Sequence, residues 1–176
     1  MIDALRHDRA LLDALDVVGI PFNGTVWRIA RAGRDPLKGS TLYGRWSGGD
    51  GSVLYTACEM DGTLAEVGFR LSLEPIWPSR LQHSLHEIKV ECERVLDLGD
   101  LSKLEKLEVV ISKYQSFDYS VTSRIAAAAA FLEYDAMMVP NARFNCNNLV
   151  VFNERPNNLE LVKSSSIDWD NWRIKK

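Results

Sequence analysis

A chain of 176 residues, 46% hydrophobic and 26% charged, is long enough to bury one sizeable core without metal or disulfides. A net charge of -3 excludes a generic polyanion binder while leaving room for a local basic pocket, and no apolar run approaches the roughly 20 residues of a membrane span. Three scattered cysteines (Cys58, Cys92, Cys146) without a C-x-x-C fit buried thiols in a reducing compartment, and the N-terminus lacks the apolar core of a secretory signal. The expected location is cytoplasmic, with neither a membrane nor direct nucleic-acid contact.

In chain order, Leu5, Leu11, Leu12, Leu15 and Val18 recur at helical spacing, which predicts an amphipathic helix over 2–18, stopped by Gly19, Pro21 and Gly24. Thr25 to Ala30 alternates as a strand, with Val26 and Trp27 on opposite faces. A Gly- and Pro-rich loop leads to the stretch from Tyr43 to Leu73. There a Gly-rich turn holds Arg45, a β run from Val53 to Thr56 carries Tyr55, and a helix capped by Asp61 or Thr63 carries Glu66. Leu64, Val67 and Leu71 form that helix's apolar stripe, and Pro75 and Pro78 lie beyond its end.

Strands are predicted over Leu85–Val90 and Val95–Leu98, then a modest helix with Leu101, Leu104 and Leu107. Ser120 to Leu132, with its five alanines, is the clearest helix. Short apolar strands follow at Met137–Val139, Leu149–Phe152 and Leu159–Val162, and a tail with Trp169 and Trp172 is free to dock or to face a partner. Neither a repeat nor a composition break marks a second domain. Several strands lie too close together for βαβ crossovers, so the expected class is mixed α/β (α+β), with a partly antiparallel central sheet flanked by helices. The expected core runs from about 26 to 152, with helix 2–18 and tail 163–176 as additions to a single domain over 1–176.

Several residues carry chemistry on one reading and plain structure on another. Arg28 inside an apolar strand suits a phosphate or carboxylate, or else a structural ion pair. Arg45 beside Gly44 and Trp46 suits an anion, or else a solvated loop. Tyr55 either stacks on a planar ligand or fills the core. Glu66, next to apolar positions, either stabilises a developing cation or reaches back to solvent. His83 and His86 form H-x-x-H without further ligands at metal spacing, so no metal is expected. The loop with Asn145, Asn147 and Asn148 reads first as a turn, and its amides are also able to line a polar pocket.

The order V-W-R-I-A, Y-G-R-W-S, V-L-Y-T-A, L-A-E-V, then M-M-V-P-N-A-R with N-N-L-V-V-F, resembles the RES-domain family over roughly Val26 to Phe152. These are the toxins of RES–Xre toxin–antitoxin systems. The resemblance implies a fold similar to ADP-ribosyltransferases and consumption of NAD, as substrate and not as cofactor, by cleavage of its nicotinamide–ribose bond through hydrolysis or phosphorolysis. Carried over to this chain, Glu66, Arg45 and Tyr55 are catalytic, and Arg28, Arg45, Tyr55, Asn141 and Asn148 bind NAD. Where the family has P-S-A-R, this chain has Pro140-Asn141-Ala142-Arg143. An amide there holds hydrogen bonds but serves as no hydroxyl relay. The implied partner is an Xre-like antitoxin protein, with a homo-oligomer inside that complex compatible with it. Two alternatives stand beside this reading: an ADP-ribosyltransferase acting on a protein, and a catalytically weakened module kept for partner binding.

Overall fold

The computed structural model describes residues 7–49, 51–155 and 158–175. His86, Ile88, Val90 and Cys92 alternate with more exposed neighbours, and this two-residue period extends one strand, β3, from His83 to Asp97. Sequence reading divides that segment in two at Glu91–Arg94, where no strand is expected; the structure keeps it continuous. Asp135 makes this possible, because its Oδ2 accepts hydrogen bonds from the backbone N–H groups of Glu93 (3.1 Å) and Arg94 (2.8 Å). Along most of its length β3 pairs with an antiparallel β1, Ile20–Arg31, in a ladder that sets Arg28 opposite His86.

β1 is twice the predicted length and runs through Pro21 and Gly24, which therefore do not act as helix stops. The N-terminal helix is correspondingly short. α1 spans Arg9–Leu15, capped by Asp8 through Ala10 N–H, and Leu5 lies outside the described residues. Tyr134 explains where the helix ends. Its hydroxyl lies 2.7 Å from the carbonyl oxygens of both Leu15 and Val17, engaging groups that a longer helix would use. Val18 is consequently 94% exposed and not part of the core stripe.

The remaining strands are β2 (Val53–Ala57), β4 (Ala136–Pro140), β5 (Asn147–Phe152) and β6 (Asn158–Ser166). They assemble in the order β1-β2-β5-β4-β3-β6, and the β1–β3 ladder folds the sheet back on itself. Among the described residues only β3 and β4 run parallel. The class is mixed α+β with a largely antiparallel sheet, as expected. Both faces of β2, β4 and β5 are covered. Val53, Met137 and Val150 pack on the side of α4 (Ser120–Phe131), while Leu54, Ala136, Leu149 and Val151 pack with Val26 and Ile88. Two-sided burial is the reason these strands read as unbroken apolar runs. The alanines of α4 let it approach closely, with Ala126, Ala128 and Ala129 buried.

α2 (Met60–Ser72) begins earlier than predicted, with Glu59 at its N-cap and no side-chain cap from Asp61 or Thr63. Its buried face is also different: Gly62, Thr63, Ala65, Gly68 and Leu71 turn inward, while Leu64 and Val67 are only half-buried. Small residues are needed there because neighbours press on the helix. A Cβ on Gly62 would lie 2.5 Å from Cys146 Sγ. One on Gly68 would lie 2.1 Å from the Trp172 indole. That indole belongs to α5 (Trp169–Ile174), which follows β6 and lies against α2. Trp169 is buried and its Nε1 donates to His83 Nδ1 at 3.0 Å, so the tail docks on its own domain. A short helix, α3 (Leu101–Glu105), is capped by Asp100 and buries Leu104, but leaves Leu101 exposed, and a 3-10 turn follows at Ile111–Lys113. Among the described residues no helix is long and apolar enough to cross a membrane.

Two outcomes follow from this packing. Gly68→Val should displace Trp172 and cost about 1–3 kcal/mol in urea unfolding, with the tryptophan emission shifted to the red. His86 is held below the ordinary histidine value of 6.5, first by burial and then by Arg28 beside it. Its contribution to stability is therefore fully present above about 6.5 and is lost as pH falls and the unfolded chain takes up the proton first. The unfolding midpoint should drop on acidification, and His86→Gln should flatten that dependence.

Candidate functional site

β1, β2 and α2 bring Arg28, Tyr55 and Glu66 to one cleft of about 340 Å³, which the loop 40–46 and the segment 117–119 complete. Arg45 and Asn148 line the same cleft. Five of the six residues singled out in the sequence thus share it, and Asn141 does not.

Glu66 is the acid in this lining. Its Oε1 accepts from Asn148 Nδ2 at 3.2 Å and from Ala142 N–H at 3.5 Å. Oε2 accepts no hydrogen bond among the described residues. Asn148, the second residue of β5, lies opposite Ala57 of β2 and Val139 of β4, so its backbone is fixed from both sides. Its Oδ1 accepts from Asn141 Nδ2 at 2.9 Å, and that amide also donates to Gly62 O at 3.2 Å. Asn141 Oδ1 takes the N–H groups of Arg143 (2.8 Å) and Phe144 (2.9 Å), an Asx turn that shapes the β4–β5 connection. Asn141 is buried behind the cleft, where it ties the first turn of α2 to Asn148. It acts on Glu66 only through that neighbour.

The arginines are held by carbonyl groups. Arg28 donates to Tyr55 O (3.1 Å) and Lys38 O (3.3 Å), and its buried Nε has no partner. Burial lowers its pKa. Arg45 donates to the carbonyl oxygens of Tyr114 and, at 3.1 Å, Ser116, with its guanidinium 5.0 Å from the Tyr114 ring centre and 4.9 Å from that of Tyr119. Tyr55 accepts from Trp46 N–H at 3.1 Å. Burial, the largest influence, pushes its pKa up to about 12, so the phenol keeps its proton as a donor.

Two further arginines line the cleft that the sequence reading does not single out as site residues. Arg143 stacks 3.5 Å over the Phe69 ring and donates to Gln115 O at 2.6 Å. Its pKa is lowered by burial and then by Arg45. Arg70 follows Glu66 by four positions, and that helical spacing is a signal the sequence does contain. Arg143 stands inside the P-N-A-R motif. Tyr119 has no local signal, because a long-range fold brings its segment over the cleft. Among the described residues none of these four guanidiniums forms an ion pair with a carboxylate. Four positive charges and one carboxylate in the lining give the cleft a net positive charge.

His83 and His86 lie elsewhere. His86 Nδ1 is 2.8 Å from Ser164 Oγ, and among the described residues no group of three or more His, Cys, Asp or Glu is placed to hold a metal ion.

No curated protein matches the chain. Among solved structures, a chain of the crystal structure of the M.tuberculosis MbcT-MbcA toxin-antitoxin complex is similar in fold, with a TM-score of 0.83 at 24% identity over 95% of this chain and 97% of that one. The RES domain matches residues 25–173, which takes in every strand but the start of β1 and reaches into α5. The chain belongs to the RES-domain family.

Proposed function

We propose that the chain is the toxin of a toxin–antitoxin pair and that its cleft binds NAD and breaks the nicotinamide–ribose bond. The observation that carries this reading is the charge pattern: one carboxylate, fixed by an amide, set among four arginines without acid partners. A dinucleotide's pyrophosphate supplies the negative charge that those arginines lack.

The same pattern suits the bond to be broken. Glycosidases commonly use two carboxyl groups, one of which protonates the leaving oxygen. Nicotinamide leaves as a neutral molecule once the C–N electron pair moves onto its positively charged ring nitrogen, so it needs no acid. A single carboxylate then suffices to stabilise the oxocarbenium-like sugar and to orient the incoming nucleophile. Water adds its oxygen to the sugar carbon and releases a proton, giving ADP-ribose; phosphate adds one of its oxygens, giving ADP-ribose-1-phosphate. Glu66 Oε2 faces the sugar, and Tyr55 offers its hydroxyl proton or its ring to the ribose or nicotinamide. Arg28, Arg45, Arg70 and Arg143 set the potential that draws the pyrophosphate in. Asn148 holds Glu66 rather than the substrate, and Asn141 holds Asn148.

An antitoxin protein as partner is supported by the apolar rim of the cleft, where Leu42, Tyr43 and Phe117 are 76%, 61% and 57% exposed. The similar M.tuberculosis chain comes from a toxin–antitoxin complex, which points the same way. An acceptor protein receiving ADP-ribose would use this rim equally well. Labelled NAD in a cell extract separates the two outcomes, since only transfer leaves label on protein.

Purified protein incubated with NAD should release nicotinamide, and Glu66→Gln should lower kcat by about 100-fold or more with the circular dichroism unchanged. A folded Gln variant that retains full turnover would sink the proposal. Asn148→Ala should cost about 10- to 100-fold in kcat with a smaller change in KM, because it frees the carboxylate to wander. Asn141→Ser, which installs the family residue, should not raise turnover; a large gain would favour the weakened-module reading.

A further inference from the structure

Five of the six strands close on one another. β1 pairs with β2 and β3, β2 with β5, β5 with β4 and β4 with β3, so each of the five has at least two partner strands. Among the described residues β6 pairs with β3 alone. Its outer edge therefore carries backbone N–H and C=O groups that no other strand receives. Every residue of β6 except Leu159 is exposed. The side chains along this edge carry a charge pattern. In the β3 ladder Glu160 lies opposite Lys89, and Lys163 lies opposite Glu87. The register shifts between those two pairs, and Val162 has no partner on β3. Glu87 and Lys89 are two positions apart on β3 and so share a face. The extra residue thus puts Glu160 and Lys163 on that same face, although they are three positions apart. Leu161 and Val162, between them, are 42% and 54% exposed.

We propose that β6 pairs antiparallel with β6 of a second copy of the chain, about a two-fold axis between Leu161 and Val162. Glu160 then faces Lys163 of the second copy, and Lys163 faces Glu160 of the second copy. Each row of charges runs from Lys89 to Glu160 and on to Lys163 and Glu87 of the second copy, alternating in sign across four strands. At the axis the exposed Leu161 and Val162 of both copies meet and leave water. A lysine and a bulge ordinarily guard an edge against pairing. Here the bulge brings the lysine into line with a glutamate, and the edge becomes complementary to itself. Pairing consumes the free edge, so assembly stops at two copies. No residue of β6 lines the Glu66 cleft, and the inference is independent of the NAD reading.

Sedimentation velocity of the full chain tests this. A single strand pair buries less than a standard interface, so a monomer–dimer equilibrium with a Kd on the order of 10 μM is expected. Glu160→Lys and Lys163→Glu each turn two attractions across the axis into two repulsions. Each should weaken the dimer about ten-fold at low salt, and both side chains are exposed, so the fold should be unaffected. Mixed in equal amounts, the two variants should form a heterodimer at least as tight as the parent dimer, because every 160–163 contact is again of opposite sign. A purely structural role for these charges within one copy would not be rescued by mixing. A chain that stays monomeric up to about 300 μM, well above that Kd, overturns the inference. So do variants that dimerise as tightly as the parent, a mixture that fails to recover the dimer, and growth beyond two copies.

Discussion

Glu66 is fixed by an amide hydrogen. The bond from Asn148 Nδ2 to Glu66 Oε1 joins the α2 carboxylate to β5, and Asn141 braces it by bonding both Asn148 and the first turn of α2. Two segments that are far apart in sequence are thereby held in one register around a single acid. The sheet supplies the rigidity beneath it, since β5 is paired on both edges and covered on both faces. A carboxylate held this way presents one oxygen to the cleft at no cost of reorientation, which is the arrangement preorganised electrostatic catalysis requires.

The charge balance complements that rigidity. Arg28, Arg45 and Arg143 each donate to backbone carbonyls, which fix the guanidiniums in position without cancelling their charge. A carboxylate partner would have done both. Backbone anchoring keeps a positive field in the cleft of a chain whose total charge is -3, so local potential and net charge point in opposite directions. Arg28 is the most buried of the set that burial acts on, and its Nε is without a partner among the described residues.

Much of this is legible in the sequence, for identifiable reasons. β2 and β5 are readable because burial on both faces makes them continuous apolar runs, and α4 because alanine is intrinsically helical. The resemblance to the RES-domain family, carried by the order of the motifs, is what groups Arg28, Arg45, Tyr55, Glu66 and Asn148 in the sequence. The misreadings have common causes. α1 is shorter than its apolar period because Tyr134, more than a hundred residues away, engages its last carbonyls. The inward face of α2 is made of Gly62, Ala65 and Gly68, and hydrophobic periodicity is blind to a face chosen for closeness. Asn141, at a family position that suggests ligand contact, bonds Gly62, Asn148 and the backbone of its own turn, and does not line the Glu66 cleft. Which of several amides in one loop reaches the cleft is decided by turn geometry, and composition does not carry that information.

The shape of the site also explains why α5 belongs to the working domain. Trp172 lies on Gly68 of the helix that carries Glu66, so the C-terminal segment supports the same helix from outside that Asn141 supports from within. The most direct test of the central claim is the electron density of the Glu66→Gln protein crystallised with NAD. The account predicts intact NAD with its nicotinamide riboside at residue 66 and its pyrophosphate facing Arg45, Arg70 and Arg143. NAD bound outside this cleft, or a cleft left empty at saturating NAD, would contradict it.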